Sequence, residues 1–204
     1  KNKKLVRIGW VGGIHHEEDV KEFAAVALRV NAKVGKENVH WGFYGKPQPG
    51  EEKDNWQLDV WDNYEKYLSA GNIDISIAPL QMNDFNDSKS EIKVIEAGIY
   101  KIPLVASNVG CYDEHIVNGK NGYLIPNEVG PQGFVKPLVD LIKHKKKRIE
   151  LGKNLHELVS AKFNINNFPS ARYELYLSLQ AKVKEFQESQ ESQDLDTDGE
   201  TNNE

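Results

Sequence analysis

The sequence predicts an α/β fold, a Rossmann-like doubly wound parallel sheet of about six strands with helices on both faces. Three observations carry this expectation. Short apolar runs at 5–11, 39–45, 73–80, 102–107 and 123–126 alternate with segments whose apolar residues recur at helical spacing. That alternation, with right-handed crossovers, gives parallel strands and places a ligand outside their carboxyl ends. Finally, 204 residues with 39% hydrophobic content can bury one good core, whereas two full domains would be a squeeze.

The first run, 5–11, reads as a strand followed by Gly12-Gly13, a turn where backbone can approach a ligand closely. A helix follows from about Glu17. Its Val20, Phe23, Ala24, Ala27, Leu28 and Val30 form the apolar set, and Glu17, Glu18 and Asp19 favour its N-terminus. The run 39–45 is a second strand, and 46–55, with two prolines and a glycine, a loop. Residues 56–69 allow a short strand around Leu58, Val60 and Trp61, then a helix over 63–68. The run 73–80 is a buried strand, bounded by Gly71 and stopped by Pro79.

After the loop 81–87, Ser88 or Ser90 is placed to cap a helix running to about Tyr100, with Ile92, Ile95 and Ile99 as its apolar stripe. The first-turn amides near Ser90, Glu91 and Ile92 then make an anion site. Glu96 lies about one turn deeper, within reach of a sugar joined to that anion. Strands at 102–107 and 123–126 follow, then helices over 132–144 and 146–162. A final helix over roughly 168–188 offers Tyr173, Tyr176, Leu177, Leu179 and Val183 for packing.

The formal charge of −5 is unevenly placed. Residues 185–204 hold eight acidic groups and no basic one, so the remainder carries a mild positive balance. This suits a phosphorylated ligand and falls well short of the basic stripe that nucleic acid demands. The tail, rich in Gln, Ser, Asp and Asn, holds too little apolar surface to offset its ordering entropy and is expected to be disordered. Residues 1–184 are therefore read as one ligand-binding domain. With Cys111 alone, no intramolecular disulfide is possible and a reducing compartment is the default. No apolar run approaches the ~20 residues that span a bilayer, so a cytoplasmic location is expected.

The order of strand, polar loop, helix with Glu96-Ala97-Gly98 and second strand ending Val105-Ala106-Ser107 resembles the C-terminal, nucleotide-sugar-binding half of family 4 glycosyltransferases, which have the GT-B fold. The segment Asn118-Gly119-Lys120-Asn121-Gly122-Tyr123 adds to the likeness, which covers most of 5–180. The family carries two glutamates eight positions apart, of which the second accepts hydrogen bonds from the donor's ribose hydroxyls. Glu96 matches the second, and Ser88 stands where the first would be. Members with a Lys-Ser pair and a further Lys ahead of the glutamate are similar to this chain through Lys89-Ser90 and Lys93.

The resemblance implies a donor-binding domain of a glycosyltransferase, usually retaining, with an acceptor (saccharide, lipid or protein) held by an N-terminal domain that this chain lacks. It implies Glu96 and Lys89 as the residues that carry chemistry. Gly12, Gly13, His15, Ser88, Ser90, Glu91, Ile92, Lys93 and Trp61 are expected to bind the donor: Glu91 through its amide, Trp61 against the base, His15 at phosphate or a sugar hydroxyl. His16 is read as an exposed or capping residue. No cofactor or metal is expected, because amides and lysines supply the positive charge, and adjacent histidines without Cys or Asp partners make no metal site. Two other readings stay open: a nucleotide- or carbohydrate-binding module that kept the fold without the chemistry, and a sugar-nucleotide epimerase. A nicotinamide-binding domain is disfavoured, since Gly12-Gly13-Ile14-His15 lacks the GxGxxG turn.

Overall fold

The structure is a computed structural model that describes residues 5–13, 16–44, 68, 73–167 and 169–198. The chain divides into two units, Lys1–Ala161 and Lys162–Glu204. In the first, strands β1 (Val6–Val11), β2 (Val39–Tyr44), β3 (Ile75–Ala78), β4 (Leu104–Ser107) and β5 (Gly122–Ile125) form one sheet of order β2-β1-β3-β4-β5. All four pairings are parallel. The predicted sheet is thus present with five strands among the described residues. The sixth candidate, around Leu58 to Trp61, and the helix over 63–68 lie outside them, except for Leu68, which is buried.

Parallel strands are covered on both faces, and the central ones show it. Every residue of β3 and β4 is buried. On one face pack helix α2 (Phe23–Val34) and helix α5 (Val135–Lys143), reached through a 3₁₀ turn at Pro131–Phe134. Phe23, fully buried, sits at the centre of this layer with its ring 5.2 Å from that of Phe134 in an edge-on contact. The short helix α1 (Glu17–Lys21) precedes α2 and breaks from it at Glu22. The shared apolar set differs from expectation in one place: Leu28 is 71% exposed and Val26 is buried in its stead. Val26, Val30 and Phe23 stand at i, i+4 and i−3, a tighter stripe than one that includes Leu28.

Helix α3 (Asp84–Asp87) and helix α4 (Ile92–Ile99) follow β3. The α4 stripe of Ile92, Ile95 and Ile99 is corrected: Ile92 and Ile99 are about half exposed, and Val94, Ala97 and Gly98 face inward. The reason is a close neighbour. A Cβ on Gly98 would lie 2.4 Å from Val159, in helix α6 (Lys145–Lys162), so only the face with small residues fits there. Arg148 of α6 is buried and donates from Nη1 to the carbonyl of Leu141 at 2.7 Å, satisfying the C-terminal end of α5.

In the second unit, helix α7 runs over Pro169–Asp198. It extends past the expected end at 188 into the acidic segment, where Glu, Gln and Ser run on without Gly or Pro until Gly199. Its expected packing residues Tyr173, Tyr176, Leu177, Leu179 and Val183 are exposed instead. Tyr176, Leu179 and Val183 stand at i, i+3 and i+7 and so share one side of the helix.

Candidate functional site

The chain leaves β1 toward one edge of the sheet, at β2, and returns on its other side as β3. The crevice outside the carboxyl ends of β1 and β3 is therefore the topological switch point of the sheet. A cavity of about 240 Å³ lies there. Val11 at the end of β1 and Ala78, Pro79 and Leu80 at the end of β3 form its floor, and Trp10 and Tyr112 supply aromatic walls. Its polar lining is His16, Lys89, Ser90 and Lys93, with Ile92 of the α4 first turn beside them. The start of α4 and two lysines thus line one space. That volume suits a diphosphate, while a whole nucleotide sugar needs the ~300 Å³ or more of an ordinary ligand cleft. A larger groove of about 910 Å³ runs beside edge strand β5 and α5. Size alone would favour it, but it lies at the edge of the sheet and away from the β1/β3 switch point.

One side chain organises the polar wall. Asp19 of α1, its side chain 6% exposed, accepts from the Gln81 amide and from Asn86 Nδ2, each at 2.8 Å. Its other oxygen lies 2.8 Å from His16 Nδ1, so the ring donates from that nitrogen, and 3.9 Å from Lys89 Nζ. Burial pushes the Asp19 carboxyl up, but the bonds from His16, Gln81 and Asn86 and the Lys89 charge outweigh it and hold it below the ordinary carboxylate range. Lys89 also donates to Asn86 Oδ1 and stands 4.7 Å over the Phe85 ring. Burial pushes its ammonium down, Asp19 opposes this, and the like charge of Lys93 adds to the depression. Two cations that repel across a cavity favour an anion between them. Tyr112, 2% exposed, has its phenol pushed up by burial and then by the charges of Cys111, Glu96 and Asp19, so it stays a hydrogen-bond donor.

Of the expected site residues, Lys89, Ser90, Ile92 and Lys93 meet at this cavity. Glu96 stands behind Lys93, whose Nζ donates to Glu96 Oε2 at 2.8 Å, and its side chain is 15% exposed. The Glu91 side chain turns to Cys111, 3.6 Å from its sulfur, and Glu91 is outside the cavity lining. The expected cap is corrected: neither Ser88 nor Ser90 caps α4, whose N-cap position is Glu91 with no side-chain bond. Ser88 instead ends α3 and donates to the Asp84 carbonyl at 2.8 Å, outside the cavity lining. The expected loop 81–87 holds a helical turn, which Asn83 caps by accepting from the Asn86 amide at 2.8 Å. Gly12 has a different reason from the one expected: a Cβ there would lie 2.3 Å from the Trp10 indole, which folds over it. Gly13 has open space around its Cβ position. His15 and Trp61 lie outside the described residues.

The residues 6–144 match the family model described as glycosyl transferases, group 1. This chain belongs to that family. Among solved structures, the group 1 glycosyl transferase chain is similar to S. aureus TarM in complex with fondaparinux, α-GlcNAc-glycerol and UDP, at 18% identity and a TM-score of 0.63, over 85% of this chain and 36% of that one. Sucrose-phosphate synthase from Thermosynechococcus elongatus gives 16% identity and a TM-score of 0.64, over 89% and 47%. The C-terminal domain of the group 1 protein LpcC from Francisella tularensis gives 21% and 0.50, over 78% and 87%. Likeness at these identities shows the fold, and the chain spans less than half the length of the first two. Comparison with curated proteins returns no sequence match. Among the described residues no helix is long and apolar enough to cross a membrane.

Sequence reasoning missed Asp19 and Trp10. Asp19 reads as a helix-start charge. Its pairing with Gln81 and Asn86 spans more than sixty positions, which no local spacing announces.

Proposed function

We propose that this chain is the donor-binding half of a nucleotide-sugar-dependent glycosyltransferase, with retention of anomeric configuration and with the acceptor held by a further N-terminal domain. The observation that carries the reading is the cavity at the β1/β3 switch point, where the α4 start, Lys89 and Lys93 face one space. A donor diphosphate there takes hydrogen bonds from the first-turn amides and charge from both lysines. Glu96 braces Lys93 through one oxygen and accepts from the ribose hydroxyls. In transfer, the bond from the anomeric carbon to phosphate oxygen breaks, the nucleoside diphosphate leaves with the electron pair, and the acceptor oxygen bonds that carbon as its proton passes to the leaving phosphate. Lys89 and the amides stabilise the charge that grows on the phosphate, so the step calls for no metal. TarM was crystallised with UDP, which makes UDP the first nucleotide to try.

Calorimetry of the chain with UDP, GDP, ADP and their sugars tests this. Binding of at least one is expected, and Glu96→Ala weakens it on the order of 100-fold, since two charge-assisted bonds of ~1.5 kcal/mol each are lost. No binding to any nucleotide would sink the reading. A non-catalytic nucleotide-binding module is the second reading. Its support is Ser88, whose hydroxyl is engaged with Asp84 where the family has a carboxylate. Donor turnover by the full-length protein separates the two.

A further inference from the structure

Beside the phosphate cavity, three side chains of metal-ligand type come together. Glu91 holds the N-cap position of α4, and Cys111 and His115 lie on the 3₁₀ turn Gly110–Glu114 and its C-cap. A carboxylate oxygen, the thiol sulfur and an imidazole nitrogen all lie within 4.8 Å of one another. We propose that Glu91, Cys111 and His115 form a binding site for a zinc ion. The proposal goes beyond the transfer chemistry and does not rest on it.

Two arguments support it. Zinc bonds sulfur at ~2.3 Å and oxygen at ~2.1 Å, so a tetrahedral ion holds those two ligands about 3.6 Å apart. Cys111 Sγ and Glu91 Oε2 are 3.6 Å apart, the spacing that such an ion requires of these two ligands. Donor chemistry selects the metal: a thiolate with an imidazole suits zinc, while magnesium and calcium prefer sites made of oxygen. Three protein ligands leave a fourth position for water. His115, 4% exposed, forms the inner side of the site, with Cys111 and Glu91 toward solvent.

The consequence is mechanical. Glu91 adjoins Ser90 and opens the helix that carries Lys93, while the turn with Cys111 carries Tyr112, and all three neighbours line the cavity. A bound zinc pins these two walls to each other. The ordinary alternative is that the thiol merely donates to the carboxylate.

The chain, stripped with chelator under reducing conditions, is titrated with Zn²⁺ and separately with Co²⁺. One zinc per chain, a raised melting temperature, and a cobalt spectrum with thiolate charge-transfer and tetrahedral bands are expected. Because losing even an outer-shell partner costs ~10–100-fold in metal affinity, Cys111→Ser should weaken zinc binding at least ~100-fold and abolish the charge-transfer band. His115→Gln should do likewise; should that buried variant fail to fold, Glu91→Gln, at a more exposed position, gives the second measurement. Absence of stoichiometric zinc uptake, an octahedral cobalt spectrum without sulfur bands, or unchanged zinc affinity in Cys111→Ser would overturn the proposal.

Discussion

Asp19→Asn tests whether the site's polar wall depends on one carboxylate. The amide is isosteric, so its oxygen still accepts from the Gln81 amide and Asn86 Nδ2, but the other branch becomes an NH₂ that faces His16 Nδ1 and Lys89 Nζ. The contact with His16 at 2.8 Å then loses its charge assistance, and the attraction to Lys89 at 3.9 Å is replaced by a donor facing a cation. A hydrogen bond to a charged group contributes about 1.5–3 kcal/mol, and at an effective dielectric near 20 the ion pair is worth at most ~4 kcal/mol before desolvation, which removes most of it. The net expectation is a loss of about 2 kcal/mol at pH 7. With a urea slope of ~2 kcal/mol/M, the unfolding midpoint falls by about 1 M. The pH dependence follows from the depressed carboxyl. A group whose folded pKa lies below its unfolded value contributes fully above the unfolded value, 3.8 for an aspartate, and loses that contribution as pH falls through the lower folded value. The gap between wild type and variant should therefore persist from pH 7 to about pH 4 and narrow below it. Equal midpoints at pH 7, or a gap that stays constant into the acid range, would refute the assignment of Asp19 as a charged hub.

Gly152→Ala places a Cβ 2.0 Å from the backbone oxygen of Lys101, where no flexible side chain can yield. About 3 kcal/mol of destabilisation is expected, or roughly 6–12 °C in melting temperature for a chain of this size. Gly13→Ala, which meets nothing within 4 Å, should leave the melting temperature nearly unchanged; a reversed order would contradict the packing described. Asn83→Ala removes the cap of α3 and should cost ~1 kcal/mol, with faster hydrogen exchange at the Asn86 amide that it now accepts from at 2.8 Å. Unaltered exchange there would show that the cap does not hold the loop.

The sheet was legible because its signals are local and redundant. The runs that became β1, β2, β3, β4 and β5 each carry apolar, β-branched residues between polar breaks, and their order alone implies parallel pairing. Lys89, Ser90 and Lys93 meet at one cavity for a similarly local reason: they lie within one turn of a helix start. Errors appear where tertiary contact overrides local pattern. Ile92, Ile95 and Ile99 form the more hydrophobic stripe of α4, yet the approach of Val159 selects the opposite side with Ala97 and Gly98, since a small residue lets the backbone come closer than a large one allows. Ser88 looks like a cap by residue type, but Asn83 begins a helical turn first, and a hydroxyl that ends one helix cannot begin the next. Asp19 is the strongest instance. Three acidic residues in a row at 17–19 all satisfy the same helix-start rule, so the rule cannot single out the one that turns inward. Only the sheet, by bringing the β1 and β3 ends side by side, makes Asp19 the partner of Asn86 and Lys89 and thereby turns a generic charge into the hub of the cavity's polar wall.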